Sequence, residues 1–192
     1  MESRSTPQPR AGLAGALDRF IGPGASPAEI ALQFGVAAAA AVGAFLYAAW
    51  VGVPSWSWPH HAVAVLLGFD VMGGVVTNAT ASARRWYRRE GRTARHHMTF
   101  VLAHGAHLVV VWLLFAGRDA LWLAGAALYL IVAAASILAT PRALQRAVAL
   151  SAYTGALALC LYILPEPPGL EWFLPLFYLK LLVSYLPADP TA

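Results

Sequence analysis

The chain has 192 residues, of which 59% are apolar and 11% charged, and its mean hydropathy is +0.62. Soluble domains average about 45–50% apolar and about 25% charged residues, so a soluble fold could not bury this much apolar surface. The net charge of +4 does not indicate nucleic-acid binding, because the basic residues lie mainly at the ends of apolar segments. The composition predicts an all-α integral membrane protein that contacts membrane lipids.

The first 25 residues precede the apolar segments, and they are predicted to form a cytoplasmic tail. Residues 1–10 are polar and contain proline, which is typical of disorder. The apolar residues that follow recur at helical spacing and favour a short interfacial helix, with a mobile tail as the alternative; they are Leu13, Leu17, Phe20 and Ile21. A six-span domain is predicted over residues 26–187, with a short C-terminal tail at 188–192.

Six apolar segments follow, and each is predicted to be a transmembrane helix in one bundle. The first begins at Ser26-Pro27-Ala28-Glu29, where serine and glutamate can form a capping box, and it runs to residue 53. The next four segments cover 59–83, 98–117, 119–140 and 141–164. The sixth, 171–186, is short and contains Pro175.

The arginines predict the orientation of these helices. Six of them lie in the loop RRWYRREGRTAR at 84–95, and others lie in the N-terminal tail and the fourth loop. Cytoplasmic loops of membrane proteins carry an excess of Lys and Arg. Both termini are therefore expected to be cytoplasmic, in a bacterial inner membrane. Arg84, Arg85, Arg88 and Trp86 could also contact anionic headgroups, although topology alone explains such arginines.

The stretch FDVMGGVVTNAT at 69–80 places polar and small residues inside an apolar segment. On a helix, Asp70, Gly74 and Thr77 fall in a narrow arc, with Gly73 and Asn78 at its edges. The glycines favour close helix packing, either inside the bundle or in a homo-oligomer through the Gly73/Gly74 face. Packing does not explain an aspartate near mid-bilayer, which costs about 2.5–3.5 kcal/mol. Asp70 is therefore predicted to have a partner and a function.

Histidines supply candidate partners for Asp70. On the third predicted helix, His97, His104 and His107 share an arc, and the last two lie roughly 9 and 14 Å from its cytoplasmic start. Antiparallel packing could bring Asp70 near His107, and Asn78 near His104.

Lys180, the only lysine, lies within the sixth apolar segment. It could extend its ammonium group to the membrane surface or pair with Asp70. The pairing hypothesis predicts a polar pocket open toward the cytoplasm, with Asn78, Thr77, Lys180 and His97 as ligand-binding residues.

Two kinds of chemistry are compatible with these residues. Asp70, His104 and His107 could act in acid–base catalysis, or they could bind zinc or iron, since imidazole and carboxylate suit both metals. No serine nucleophile motif or phosphate-binding loop is present. Three hypotheses remain open: a membrane-embedded enzyme acting on a lipid or isoprenoid-like substrate, a non-catalytic assembly or scaffold protein, and a small proton-linked carrier or channel.

Overall fold

A computed structural model describes residues 7–188 of the chain, and within that range the protein is helical and contains no strand. Residues 1–6 of the predicted disordered tail and residues 189–192 of the predicted C-terminal tail lie outside the described residues. The helices are α1 (Gly12–Ile21), α2 (Pro27–Val51), α3 (Trp58–Ala79), α4 (Ala81–Tyr87), α5 (Ala94–Leu114), α6 (Ala120–Ala139), α7 (Arg142–Tyr162) and α8 (Phe173–Tyr178), and α8 continues into a π-helical segment, Leu179–Tyr185.

Five of these helices, namely α2, α3, α5, α6 and α7, are long and apolar enough to cross a membrane. This supports the prediction of a multi-pass membrane protein. The last apolar helix, Phe173–Tyr185, is shorter. At 1.5 Å per residue it would extend about 20 Å, less than the roughly 30 Å of a hydrocarbon core. The sixth span therefore stays a prediction.

The start of α2 follows the sequence prediction. The Glu29 backbone N–H donates to Ser26 Oγ at 3.2 Å, and the Ser26 N–H donates to Glu29 Oε2 at 2.9 Å, so the capping box is present. Glu29 Oε1 also accepts from the Ser82 N–H at 3.1 Å, which ties this end of α2 to α4.

The helix of the second predicted span, α3, ends at Ala79, four residues before the predicted end. The backbone of Thr80 is extended, with φ −69° and ψ 149°, and its hydroxyl donates to the Thr77 carbonyl at 2.7 Å. Hydroxyl side chains compete in this way with helical hydrogen bonding. The chain then restarts as α4, which contains Arg84, Arg85 and Trp86, so these residues belong to a helix and not to an irregular loop. The next helix, α5, starts at Ala94, four residues before the predicted position.

The α8 helix and the π-helical segment lie in the interior of the protein. Several of their large apolar side chains, among them Phe173, Phe177 and Leu181, have no exposed surface. The π-helical segment contacts α3, α6 and α7. The long helices supply the outer surface instead, since only 17–44% of their most apolar windows is buried.

The predicted N-terminal helix is present as α1, and it docks on α4. Ser82 Oγ donates to the Ile21 carbonyl at 3.2 Å, and the Tyr87 hydroxyl donates to the Phe20 carbonyl at 2.9 Å. Leu13, Leu17 and Phe20 remain exposed on its other side. Exposed apolar residues of this kind fit a membrane surface, and the interfacial position of α1 stays a prediction.

Candidate functional site

The site is centred on the Asp70 carboxylate. Its Oδ2 atom accepts from Lys180 Nζ at 2.5 Å and lies 2.9 Å from His107 Nε2. Lys180 Nζ also donates to the Asp70 backbone carbonyl at 3.3 Å. The structure thus brings together one residue from each of α3, α5 and the π-helical segment, at positions 37 and 110 residues apart in the chain.

Lys180 is buried and does not extend to the end of its helix. Only 3% of the residue is exposed, and its side chain crosses α3 at Gly74. A Cβ atom at position 74 would overlap the Cε of Lys180. Glycine at this position therefore makes room for the ion pair.

The π-helical geometry coincides with this site, because it begins at Leu179, next to the lysine. Interruptions of the α-helical hydrogen-bond pattern are frequent at functional sites.

The His107 ring faces two hydrogen-bond acceptors. Its Nδ1 lies 3.1 Å from the His104 carbonyl oxygen, while its Nε2 faces Asp70. A neutral imidazole has a single N–H, so it can donate to only one of these oxygens at a time. Only the imidazolium form donates to both.

The other two predicted histidines lie on the same helix but do not bond to Asp70. His104 Nδ1 donates to the Phe100 carbonyl at 2.8 Å, and its ring stacks on the His107 ring with centroids 5.3 Å apart. His97 is buried, and its Nδ1 lies 3.0 Å from the Tyr185 hydroxyl. The three histidines therefore follow one side of α5, with His107 alone in contact with the carboxylate.

The predicted metal site gains no support from the described residues. Among residues 7–188, no group of three or more His, Cys, Asp or Glu side chains has an arrangement that could hold a metal ion. His104 uses Nδ1 on a backbone carbonyl and contacts His107 by stacking, so the predicted set of His104, His107 and Asp70 does not converge on one point.

Asn78 and Thr77 have partners other than those expected. Asn78 Nδ2 lies 3.5 Å from the Lys180 carbonyl, and the predicted position near His104 is not observed. Thr77 Oγ1 donates to Gln33 Oε1 of α2 at 2.9 Å. Gln33 is 2% exposed and is not among the site residues predicted from the sequence. Its presence as a single glutamine in an apolar helix could have indicated a buried polar site from the sequence.

A small cavity adjoins Asp70 between α1, α2 and α3. Its volume is about 90 Å³. The polar residues that line it are Gln33, Asp70 and Thr77, and aromatic walls come from Phe20, Phe34 and Phe69. The Asp70 side chain retains 37% of its accessible surface. Oδ1 has no hydrogen-bond partner among the described residues, since both side-chain contacts use Oδ2.

Gly73 and Gly74 of α3 are both covered by other parts of the same chain. A Cβ at Gly73 would lie 2.8 Å from Ala37 Cβ of α2, and Gly74 adjoins Lys180. This is the close packing that small residues permit. A homo-oligomer through this face stays a prediction.

The arginine cluster is partly engaged in the fold. Arg88 Nη2 donates to the carbonyl oxygens of Tyr185 and Leu186, each at 2.6 Å, and so holds the end of the π-helical segment. The guanidinium of Arg89 lies 3.6 Å from the centroid of the Trp86 ring. Arg85 is exposed. A headgroup role for Arg84, Arg85, Arg88 and Trp86 stays a prediction, with a structural role now added for Arg88.

A second carboxyl group lies apart from this site, in the loop after α7. The carboxyl group of Glu166 is buried near the Cys160 thiol, and burial raises the pKa of this carboxyl to about 8. The folded protein therefore binds this proton more tightly than the unfolded chain does. The resulting stabilisation is present below about pH 4.5 and is lost as the pH rises toward 8.

Glu166→Gln should remove this pH dependence, because an amide stays neutral throughout the range. The unfolding free energy can be measured by titration with a denaturing detergent at pH 5 and at pH 8. We expect the difference between these two values to be smaller in Glu166→Gln than in the wild type. Asp119→Asn should keep the wild-type difference, and an unchanged difference in Glu166→Gln would contradict the prediction.

No known protein family, curated protein or solved structure matches the chain.

Proposed function

We propose that the protein conducts protons across the membrane, as a small channel or as the proton pathway of a carrier, with Asp70, His107 and Lys180 as its central site. The observation that carries the proposal is the sharing of one carboxylate oxygen between two basic groups on different helices. Ionisable side chains inside membrane helices are typical of proton relays.

The charge of this site depends on a single proton. The Lys180 ammonium and the Asp70 carboxylate cancel, and one further proton leaves the site with one net positive charge. In a medium of low dielectric constant, that difference changes the interaction energies of all three groups strongly. Uptake and release of one proton would therefore rearrange the contacts of Asp70.

The depth of the site also supports a role in transfer across the membrane. Asp70 lies 12 residues after the first residue of α3 and nine before the last. These separations correspond to roughly 18 Å and 14 Å, so Asp70 would lie near the middle of the bilayer.

The size of the cavity favours a small cargo over a lipid substrate. A volume of about 90 Å³ is well below the roughly 300–1,000 Å³ of ordinary ligand sites. The hypothesis of an enzyme acting on a lipid or isoprenoid-like substrate has no comparable support at Asp70.

The proposed topology has six spans with both termini in the cytoplasm of a bacterial inner membrane, and its support is the distribution of arginines. Tags inserted at Ser57 and Gly169 should be accessible from the periplasm, and a tag at Gly91 from the cytoplasm. Protease accessibility in oriented vesicles would measure this. A periplasmic tag at Gly91 would overturn the orientation.

Proton flux in proteoliposomes tests the proposal directly. With a pH-sensitive dye inside and a potassium diffusion potential as the driving force, we expect wild-type flux well above that of protein-free vesicles. Asp70→Asn should reduce it at least about tenfold, because an amide can neither carry the charge nor exchange the proton at this position. His107→Ala should reduce it similarly.

Asp119→Asn is the matched control for this experiment. The Asp119 side chain caps α6 by accepting from the Leu121 N–H at 2.8 Å, and asparagine caps a helix about as well. This variant should conduct as the wild type does. Wild-type flux equal to that of empty vesicles, or full flux in Asp70→Asn, would overturn the proposal.

A further inference from the structure

The Gln33 side chain is an unexplained polar group in the interior. Gln33 is 2% exposed, and its Oε1 accepts from Thr77. Its Nε2 is buried and has no partner among the described residues. Exchanging the two amide atoms would still leave one of them without a partner, since within residues 7–188 Thr77 Oγ1 is the only polar atom bonded to this side chain. A buried donor without a partner destabilises the fold unless water satisfies it.

The same cavity joins this amide to Asp70. Both side chains line it, and Asp70 Oδ1 is free of protein hydrogen bonds on the described chain. Gln33 thus brings an amide with an unsatisfied donor to the lining of the cavity, and Asp70 brings a charged acceptor. We infer that it holds a short file of water molecules that delivers protons to Asp70 Oδ1, an inference that rests on the proposed proton conduction.

The dimensions agree with about three waters. At roughly 30 Å³ per molecule, a volume of about 90 Å³ has room for that number. Asp70 and Thr77 are seven residues apart on α3, which corresponds to about 10.5 Å. Three waters in line make four hydrogen bonds of about 2.8 Å, and these span a similar distance.

The polar partners suffice for such a file. Gln33 Nε2 donates to the first water, and the Thr77 hydroxyl oxygen has acceptor capacity left beside it. Asp70 Oδ1 accepts from the last water. A proton arriving on this file moves to Oδ1 and converts the carboxylate to a carboxylic acid. The last water is left neutral, and no other bond is made or broken.

Phe20 and Ile21 of α1 form one wall of the cavity, so the docking of α1 on α4 determines how well the file is separated from its surroundings.

Water contact at Gln33 can be measured separately from conduction. The chain contains only three glutamines, at positions 8, 33 and 145. The glutamine side chains can be labelled with ¹⁵N, and the Gln33 signal is assigned by its loss in Gln33→Leu. Water-edited solid-state NMR should then show magnetisation transfer from water to the Gln33 amide. Gln145, whose Nε2 donates to the Thr140 carbonyl at 3.1 Å, is the buried control and should receive much less. No transfer to Gln33 would overturn the inference.

Conduction by Gln33→Leu provides the second test. Leucine conserves the approximate volume and removes both polar atoms, so we expect flux to fall at least about tenfold, while Gln145→Leu keeps wild-type flux. Full flux in Gln33→Leu together with loss of flux in Asp70→Asn would overturn the water file and leave the proposed function standing. Full flux in both variants would overturn both.

Discussion

Asp70→Asn is expected to lower the free energy of unfolding by about 3–5 kcal/mol, because it leaves the Lys180 ammonium buried without its counter-ion. Lys180 is only 3% exposed, so solvent cannot replace the lost carboxylate. Detergent titration of the purified protein in mixed micelles, followed by circular dichroism, would measure the change.

Lys180→Met should be the milder of the two single substitutions. The carboxylate that remains keeps its contact with His107, and the Asp70 side chain retains 37% of its accessible surface. A loss of about 1–3 kcal/mol is expected, in the range for an acceptor that loses one partner.

The double variant Asp70→Asn with Lys180→Met removes both charges and should recover most of the stability. Buried ion pairs replaced on both sides are often neutral or even stabilising. The two substitutions should therefore be strongly non-additive, whereas independent sites add within about 0.3–0.5 kcal/mol. Additive losses would contradict the pairing.

The double variant also separates stability from function. If Asp70 serves only to neutralise Lys180, the double variant should conduct protons whenever the wild type does. Under the proposed function it folds stably and does not conduct, since no titratable group remains at position 70.

Gly22→Ala is the second substitution with a large expected effect. Gly22 has φ +91°, a conformation that costs other residues about 1–3 kcal/mol, and a Cβ there would overlap the backbone of Ser82 and Ala83. Relieving that overlap requires α1 to move away from α4, with loss of the hydrogen bonds to the Ile21 and Phe20 carbonyls. The strain and the overpacking together predict a loss of about 2–6 kcal/mol.

Gly12→Ala is the matched control, because Gly12 also has a positive φ, +65°, but nothing lies within 4 Å of its added Cβ. Only the backbone strain of about 1–2 kcal/mol should appear there. Hydrogen exchange would show fast exchange of α1 amides in Gly22→Ala and near-normal protection in Gly12→Ala. Equal behaviour of the two variants would contradict the close approach of α1 and α4.

Local features of this protein could be predicted from its amino-acid sequence. Apolar composition and helix length predict membrane helices because the bilayer requires internally hydrogen-bonded segments of about 20 residues. The capping box at Ser26 and Glu29 was readable because its partners are three residues apart. Asp70 stood out because a charge inside an apolar helix is costly wherever that helix packs.

Which distant residues meet depends on how the helices pack. The partners of Asp70 are 37 and 110 residues away, and helical periodicity indicates a face without naming the helix that covers it. Lys180 could have extended to the membrane surface, and only the burial of the π-helical segment beside Gly74 directs it to Asp70.

Gln33 became important for the same reason. In the sequence it is a single glutamine in an apolar helix, and its proposed role arises only because α1, α2 and α3 enclose it beside a carboxylate. Hydrogen-bond satisfaction in an interior depends on what each neighbouring helix presents, and that is set by packing across the whole bundle.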